Sequence, residues 1–390
     1  MFTEAISRLD TFARRLPDVP RVEGRLTSAD LVLEGPGLPA SRVDRLGRFA
    51  RISLRGISVR RTFACDLHLG LRPRVERVAA ADAGLLYDAS ARFFTALHAL
   101  HRDHPERFDV RESQGVGGVL ERAAHFDAAA ACAELERFEG AYPEPVEILP
   151  PDRYRDVVVK PALGCPNASC SFCAFYAGKR FKPMTRAHFA SHLDRVEELF
   201  GPLLRGRKGV FLGSASAASL SNARLLEILA ELSRRWGSWP SGVATFLDPD
   251  HAPARGVPEW RELADAGLTR VVSGLETGLA ELRGELGKSS DLDAFVRTIA
   301  CQKQAGLPVG LTVLVGVGAE SQRAAHRGET ARVLARMSLG REDLVYVSPL
   351  AGSMAEDALK HETRAFTSAL RQVTAAPVAP YAMQRFGYYP

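Results

Sequence analysis

Cys165, Cys170 and Cys173 fall within nine residues, Cys165-Pro-Asn-Ala-Ser-Cys170-Ser-Phe-Cys173. Thiolates this close on one loop can face a common point, and a metal centre gives them a shared purpose. Three is one short of the four protein ligands that a closed structural site takes. The position left open is where a substrate or cofactor binds, so the trio points to chemistry. An iron–sulfur cluster with three protein ligands meets this pattern, and three other readings stand beside it. The spacing Cys-x4-Cys-x2-Cys opens the plant-type [2Fe–2S] motif, but the next cysteine, Cys301, lies 128 residues on. Cys170 and Cys173 followed by His188 and His192 meet a loose Cys2His2 zinc spacing. Unligated core cysteines are the fourth reading.

Such a loop needs a frame. Short apolar runs recur at 157–160, 209–212, 243–246, 270–273, 309–315 and 344–348. Helical patterns at 188–200, 223–236, 258–266, 292–305 and 324–337 separate them. This alternation predicts parallel strands joined by crossover helices, curling right-handedly into a barrel or partial barrel. Active sites of barrels lie on the loops after the strand C-terminal ends, and the cysteine loop follows the first strand there. The expected fold is α/β, a partial (β/α)6 TIM-like barrel over 151–350 with an additional N-terminal α+β domain over 1–150. An early amphipathic helix at 2–16, strands within 25–78, and helices at 79–101 and 126–139 fill that first domain. Within it, 48–63 alternates apolar with basic or polar residues, as a half-exposed sheet does. Prolines around 141–152 mark a linker. Residues 351–390 are expected to form a C-terminal extension packing on the barrel.

The 390 residues are 46% hydrophobic and 25% charged, an ordinary globular balance. No run approaches the ~18 apolar residues of a membrane span, so no membrane association is expected. The start carries acids early and lacks the apolar segment of a signal peptide. Six cysteines without a disulfide framework fit a reducing, cytoplasmic setting. The net charge of +5 comes from arginines scattered among acids, with seven lysines, so a nucleic-acid partner is not the leading expectation.

With the cysteines and their frame in hand, the chain resembles the radical S-adenosylmethionine enzymes. That family's usual signature is Cys-x3-Cys-x2-Cys with an aromatic residue before the last cysteine. Phe172 holds the aromatic position, and the first gap is one residue longer. The resemblance extends from about residue 155 to 350. The segment around Gly213, Ser214 and Ser216 looks like the second-strand loop that meets the methionine amino group. Gly274-Leu-Glu276-Thr277 looks like the fourth-strand segment that lies near S-adenosylmethionine. Gly316 and Gly318 look like the fifth-strand glycine loop beside the adenine.

The resemblance implies a [4Fe–4S] cluster on Cys165, Cys170 and Cys173, with S-adenosylmethionine chelating the remaining iron. It further implies reductive cleavage to a 5′-deoxyadenosyl radical that abstracts hydrogen from an unidentified substrate. An electron donor such as a flavodoxin or ferredoxin is implied as partner. The alternative function is a non-catalytic iron–sulfur electron-transfer or zinc-binding protein. Two further patterns are read as structural. Asp66-Leu-His68-Leu-Gly70 is one residue short of a cobalamin-binding element, and His98, His101 and His104 read as a solvated helix end.

Overall fold

The computed structural model describes residues 1–71, 74–112, 114–146, 148–213, 215–381 and 387–390. The chain divides into two units. The first holds Met1–Pro145, His192–Arg207 and Gly387–Pro390, and the second holds Val146–Ser191 and Lys208–Phe386.

In the first unit, α1 (Phe2–Arg15) leads into β1 (Val22–Leu26), β2 (Asp30–Gly35), β3 (Leu38–Asp44) and β4 (Phe49–Leu54). β5 (Ile57–Arg61), β6 (Leu67–Leu71) and β7 (Arg74–Arg77) continue the meander. Then come α2 (Ala80–Asp103), β8 (Phe108–Arg111), α3 (Val116–Ala124) and α4 (Ala128–Ala141). Among the described residues these strands make one eight-stranded sheet in the order β7-β6-β5-β4-β3-β2-β1-β8. All neighbours are antiparallel except β1 and β8. The period-2 alternation puts Leu31, Leu33, Ile52, Leu54, Val59 and Leu69 on one face. Ala5 and Leu9 of α1 and Leu86, Phe93 and Leu97 of α2 cover that face. Within this core Arg48 is buried, bonded to Asp44, Glu134 and the Leu199 carbonyl, which satisfies a charge that would otherwise be costly.

The second unit opens with β9 (Val157–Val159), followed by β10 (Ala162–Leu163), β11 (Lys182–Pro183) and α5 (Arg186–Phe200), a helix divided between the units at His192. It continues through β12 (Val210–Leu212), α6 (Asn222–Trp236), β13 (Val243–Leu247), α7 (Val257–Asp265) and β14 (Leu268–Glu276). α8 (Ala280–Glu285), α9 (Leu292–Gln304), β15 (Val309–Val315), α10 (Arg323–Ala335) and β16 (Leu344–Pro349) come next. α11 (Glu356–Arg371) and β17 (Val378–Pro380) close it. Among the described residues the large sheet has seven strands, ordered β17-β16-β15-β14-β13-β12-β9 and parallel throughout. The fold is therefore α/β with a parallel sheet in sequential order. β15 and β16 are buried on both faces, which is why their sequences read as continuous apolar runs. Val309, Leu311, Val313, Val345 and Val347 pack against α9, α10 and α11. On the opposite face Phe211 meets Phe246 and Tyr346 meets Tyr381.

The region after 350, expected as an extension packing on the barrel, supplies α11, whose Phe366 and Leu370 pack against β15 and β16, and a seventh strand of the sheet. β17 pairs with β16 through Val345–Val378, Tyr346–Ala379 and Val347–Pro380. Its run lies between Pro377 and Pro380, and prolines are tolerated on such an edge strand while masking it in sequence. Of the tail, residues 382–386 lie outside the described residues.

Candidate functional site

The cysteine loop leaves the C-terminal end of β9 and is clamped at its base by the β10–β11 ladder. The Cys165 amide donates to the Lys179 carbonyl at 2.9 Å. Gly164 has φ +67°, and a Cβ there would stand 2.1 Å from the Arg180 carbonyl oxygen, so only glycine lets the two arms close. The thiols of Cys165 and Cys170 both point at one acceptor, the Asn167 carbonyl oxygen, at 3.1 and 3.8 Å. The Cys173 amide donates to the Cys170 carbonyl at 3.2 Å, turning the third cysteine back toward the second. All three are half-buried free thiols. Phe172 packs into an apolar cluster of Leu282, Leu286, Leu314 and Val317.

A second segment holds this loop from outside. The buried Asn167 donates through Nδ2 to the Gly287 carbonyl at 2.8 Å, and the Ser171 amide donates to Leu286 at 3.2 Å. Gly287 has φ +78°, and a Cβ there would come within 3.0 Å of the Ser169 carbonyl oxygen. The segment between α8 and α9 thus lies directly against the cysteines.

That segment brings charge with it. The side chain of Lys288 is enclosed, 8% exposed, and pairs with Asp248 at 3.3 Å. Asp248, just beyond β13, also faces His251 Nδ1 at 3.2 Å. Burial alone would lower the Lys288 pKa, but Asp248 and Glu276 outweigh it and the ammonium is raised. Burial pushes the Cys165 thiol up to about 12 and the Cys170 thiol up to about 11, with Lys288 pulling both down. The thiols are therefore protonated by default, and a bound cation must displace their protons.

Glu276 ends β14 at a register break in its pairing with β15 and has φ +62°, rare for a residue with a side chain. Its carboxylate folds over Gly274, where a Cβ would lie 2.0 Å from Oε1. Burial pushes Glu276 up to about 7, against the pull of Lys288 and Arg283. Its Oε2 is buried without a hydrogen-bond partner. Beneath it the fully buried Arg283 donates to the carbonyls of Leu275 and Ser289 and pairs with Asp250 at 3.2 Å.

The structure thus brings Cys165, Cys170 and Glu276 near Lys288 and Asp248, with Cys173 beside Cys170, while the remaining described candidates meet protein atoms. Gly213 donates to the Val159 carbonyl at 2.8 Å, and a Cβ there would meet Val158 Cγ1 at 3.0 Å. Ser214 lies outside the described residues. Ser216 is fully buried, accepting from the Asp248 amide at 2.8 Å and bonding Ser219 at 2.8 Å. Thr277 bonds His326 Nδ1 at 2.7 Å and accepts from the Leu279 amide at 3.0 Å. His326 Nε2 faces the Leu314 carbonyl at 3.0 Å, so Nε2 carries the proton and Thr277 is the donor to Nδ1. Gly316 (φ +90°) and Gly318 (φ +75°) are held to glycine by protein atoms, Ser353 Oγ and Gln322 Oε1.

Among the described residues no three His, Cys, Asp or Glu side chains form a group that could hold one metal ion. The zinc set is accordingly not such a group. His192 is buried in the first unit, bonded to the Ala141 carbonyl at 2.8 Å, and His188 is exposed. A cluster poses a different requirement, because its thiolates bind separate irons. The donor set fits it: three thiols on one loop, two of them aimed at one point, with a buried carboxylate oxygen unpartnered nearby. Asp248, Lys288 and Arg283 were not singled out as site residues from sequence. The signal for Asp248 is its place just after the third apolar run, at a strand end of the same kind as the one that carries the cysteine loop.

Among the described residues no helix is long and apolar enough to cross a membrane. No protein-family model matches the chain, and no curated protein matches it. Similarity to solved structures includes the radical S-adenosylmethionine methyltransferase TsrM from Kitasatospora setae, with cobalamin and a [4Fe–4S] cluster bound, at 20% identity and TM-score 0.38. That match covers 50% of this chain and 37% of TsrM. Coproporphyrinogen III oxidase (HemN) from Escherichia coli, described as a radical SAM enzyme, matches at 18% identity and TM-score 0.39, over 60% of this chain and 50% of HemN. Methylornithine synthase (PylB) matches at 15% identity and TM-score 0.39, over 64% of this chain and 75% of PylB. The chain spans little more than a third of TsrM.

Proposed function

We propose that this protein is a radical S-adenosylmethionine enzyme whose [4Fe–4S] cluster is held by Cys165, Cys170 and Cys173. The observation that carries this is the cysteine loop at the C-terminal end of the first strand of a sequential parallel sheet, with two thiols aimed at the Asn167 carbonyl. The sheet is taken as a partial (β/α)6 barrel extended by β17, with the first unit serving substrate recognition or closure. When bound, cluster and S-adenosylmethionine together supply a one-electron cleavage that yields a hydrogen-abstracting radical.

The chain's own residues have definable tasks. Gly287 lets the α8–α9 segment press against the cysteine loop and fix its shape. Phe172, seated among Leu282, Leu286, Leu314 and Val317, anchors the loop's far end. Lys288 favours the thiolate forms of Cys165 and Cys170 electrostatically, while Asp248 holds its ammonium in place. Glu276, with a buried unpartnered oxygen, is the acceptor for a donor group of the cofactor. A flavodoxin or ferredoxin would supply the electron, and the substrate would be an organic molecule offering a C–H bond.

Anaerobic reconstitution with iron and sulfide tests this reading. The expected product is a brown protein whose reduced electron paramagnetic resonance signal shifts when S-adenosylmethionine is added. A colourless protein holding one tight zinc would contradict it.

A further inference from the structure

The open face of the eight-stranded sheet carries a feature that the cysteine chemistry does not use. Strand pairing places Arg42 opposite Arg51, Arg51 opposite Arg60, Arg60 opposite His68, and His68 opposite Arg77. The same register row continues from Arg42 through Val32 to Arg25 and then to Arg111. Directly paired residues share a face, so six arginines and one histidine form a single stripe across the sheet. Eight strands spaced ~4.8 Å apart make that stripe about 34 Å long. The opposite face is the one packed by α1 and α2. Arg25, Arg51, Arg60, Arg77 and Arg111 are exposed.

Scattered along the sequence, these arginines look like ordinary surface charge; only the register aligns them. Like charges directly opposite one another on a sheet oppose folding, so the alignment is costly unless something neutralises it. The face's own carboxylates do so only in part. Asp30 pairs with Arg42 and Asp66 with Arg77. In the adjoining row Glu23 and Asp109 are taken by Arg21, with Glu34 beside them. The middle of the stripe has no carboxylate in register: Arg51 and Arg60 are flanked by Ser53 and Ser58 in the next row. Tyr389 lies on this face, its ring 3.7 Å from the Arg60 guanidinium and its hydroxyl 2.5 Å from His68 Nδ1.

We infer that this stripe binds the phosphate backbone of a nucleic-acid strand. A line of guanidinium groups matches a linear polyanion, whereas a single phosphate would call for a convergent pocket. Hydroxyls beside the arginines and an aromatic ring on the same face are what a sheet platform uses to hold a strand. An anionic membrane is the poorer match, because Val75 is the one large apolar side chain exposed on that face among the described residues.

The test uses the full chain and fluorescein-labelled mixed-sequence RNA and DNA oligonucleotides of about 20 nucleotides, with site sizes of this order expected. Binding should weaken with salt, and the triple variant Arg25→Gln, Arg51→Gln, Arg60→Gln should lose at least tenfold in affinity. Its log–log salt slope should fall by about 2, at ~0.7 per phosphate contact on a single strand. A control triple on α1 and α2, Arg14→Gln, Arg15→Gln, Arg102→Gln, removes the same charge elsewhere and should bind like the parent. RNA and DNA arms report which sugar is preferred. Equal loss in both triples, no oligonucleotide binding, or capture by phosphatidylserine vesicles without oligonucleotide binding would each overturn the inference. Circular dichroism of both triples confirms that the sheet is intact.

Discussion

Glu276 offers a quantitative handle on the site. Burial raises its carboxyl from 4.5 to about 7 in the folded chain. At ~1.36 kcal/mol per tenfold change in proton affinity, holding it ionised in the folded state costs ~3 kcal/mol. The sign follows from proton binding. Below the unfolded value both states are protonated and no penalty exists. Between 4.5 and 7 the unfolded chain releases the proton while the native chain keeps it, so stability falls as pH rises through that window. Above it the whole penalty is present. Gln at this position does not titrate and removes the effect. The three tryptophans, Trp236, Trp239 and Trp260, all lie in the second unit, so their fluorescence follows that unit alone during urea unfolding. Between about pH 5 and about pH 8, the metal-free parent should lose ~2.5 kcal/mol more stability than Glu276→Gln. Parallel pH profiles, within ~0.5 kcal/mol, would refute a buried Glu276 carboxyl.

Three further perturbations separate support from chemistry. Gly287→Ala forces a side chain at φ +78° against the Ser169 carbonyl; iron and sulfide content after reconstitution should fall well below the parent's, with ~1–2 kcal/mol of lost stability. Arg283→Met removes the buried guanidinium from Asp250 and from the Leu275 and Ser289 carbonyls and should cost ~3 kcal/mol in urea unfolding. Thr277→Val leaves the buried His326 Nδ1 with only the longer Thr330 hydroxyl contact at 3.3 Å, costing ~1 kcal/mol; Thr277→Ser should restore stability, and calorimetric binding of S-adenosylmethionine should match the parent in the Ser variant.

The six apolar runs read from sequence coincide with β9, β12, β13, β14, β15 and β16. Parallel strands buried on both faces leave this uninterrupted signature. β17 escaped because its residues are bracketed by prolines, and β8 because Phe108–Arg111 is too short to show a period. The cysteine loop was legible because sequence spacing itself limits how far apart its thiols can be. The Lys288–Asp248 pair was not, since one member follows β13 and the other lies between α8 and α9, and packing alone joins them. The same holds for hydroxyls. Ser216 and Thr277 sit where the resemblance read from sequence implies ligand contacts, yet both bond protein atoms, and a hydroxyl's partner is invisible in sequence. The arginine stripe is the extreme case, because every member comes from a different strand and register alone lines them up.

The most direct measurement is production of 5′-deoxyadenosine from S-adenosylmethionine by the anaerobically reconstituted, dithionite-reduced protein. A cluster on Cys165, Cys170 and Cys173 predicts formation of that nucleoside by the parent and its loss in Cys173→Ala, with Cys301→Ala unaffected. Equal yields from the parent and Cys173→Ala, or no nucleoside from a parent carrying a full cluster, would contradict it.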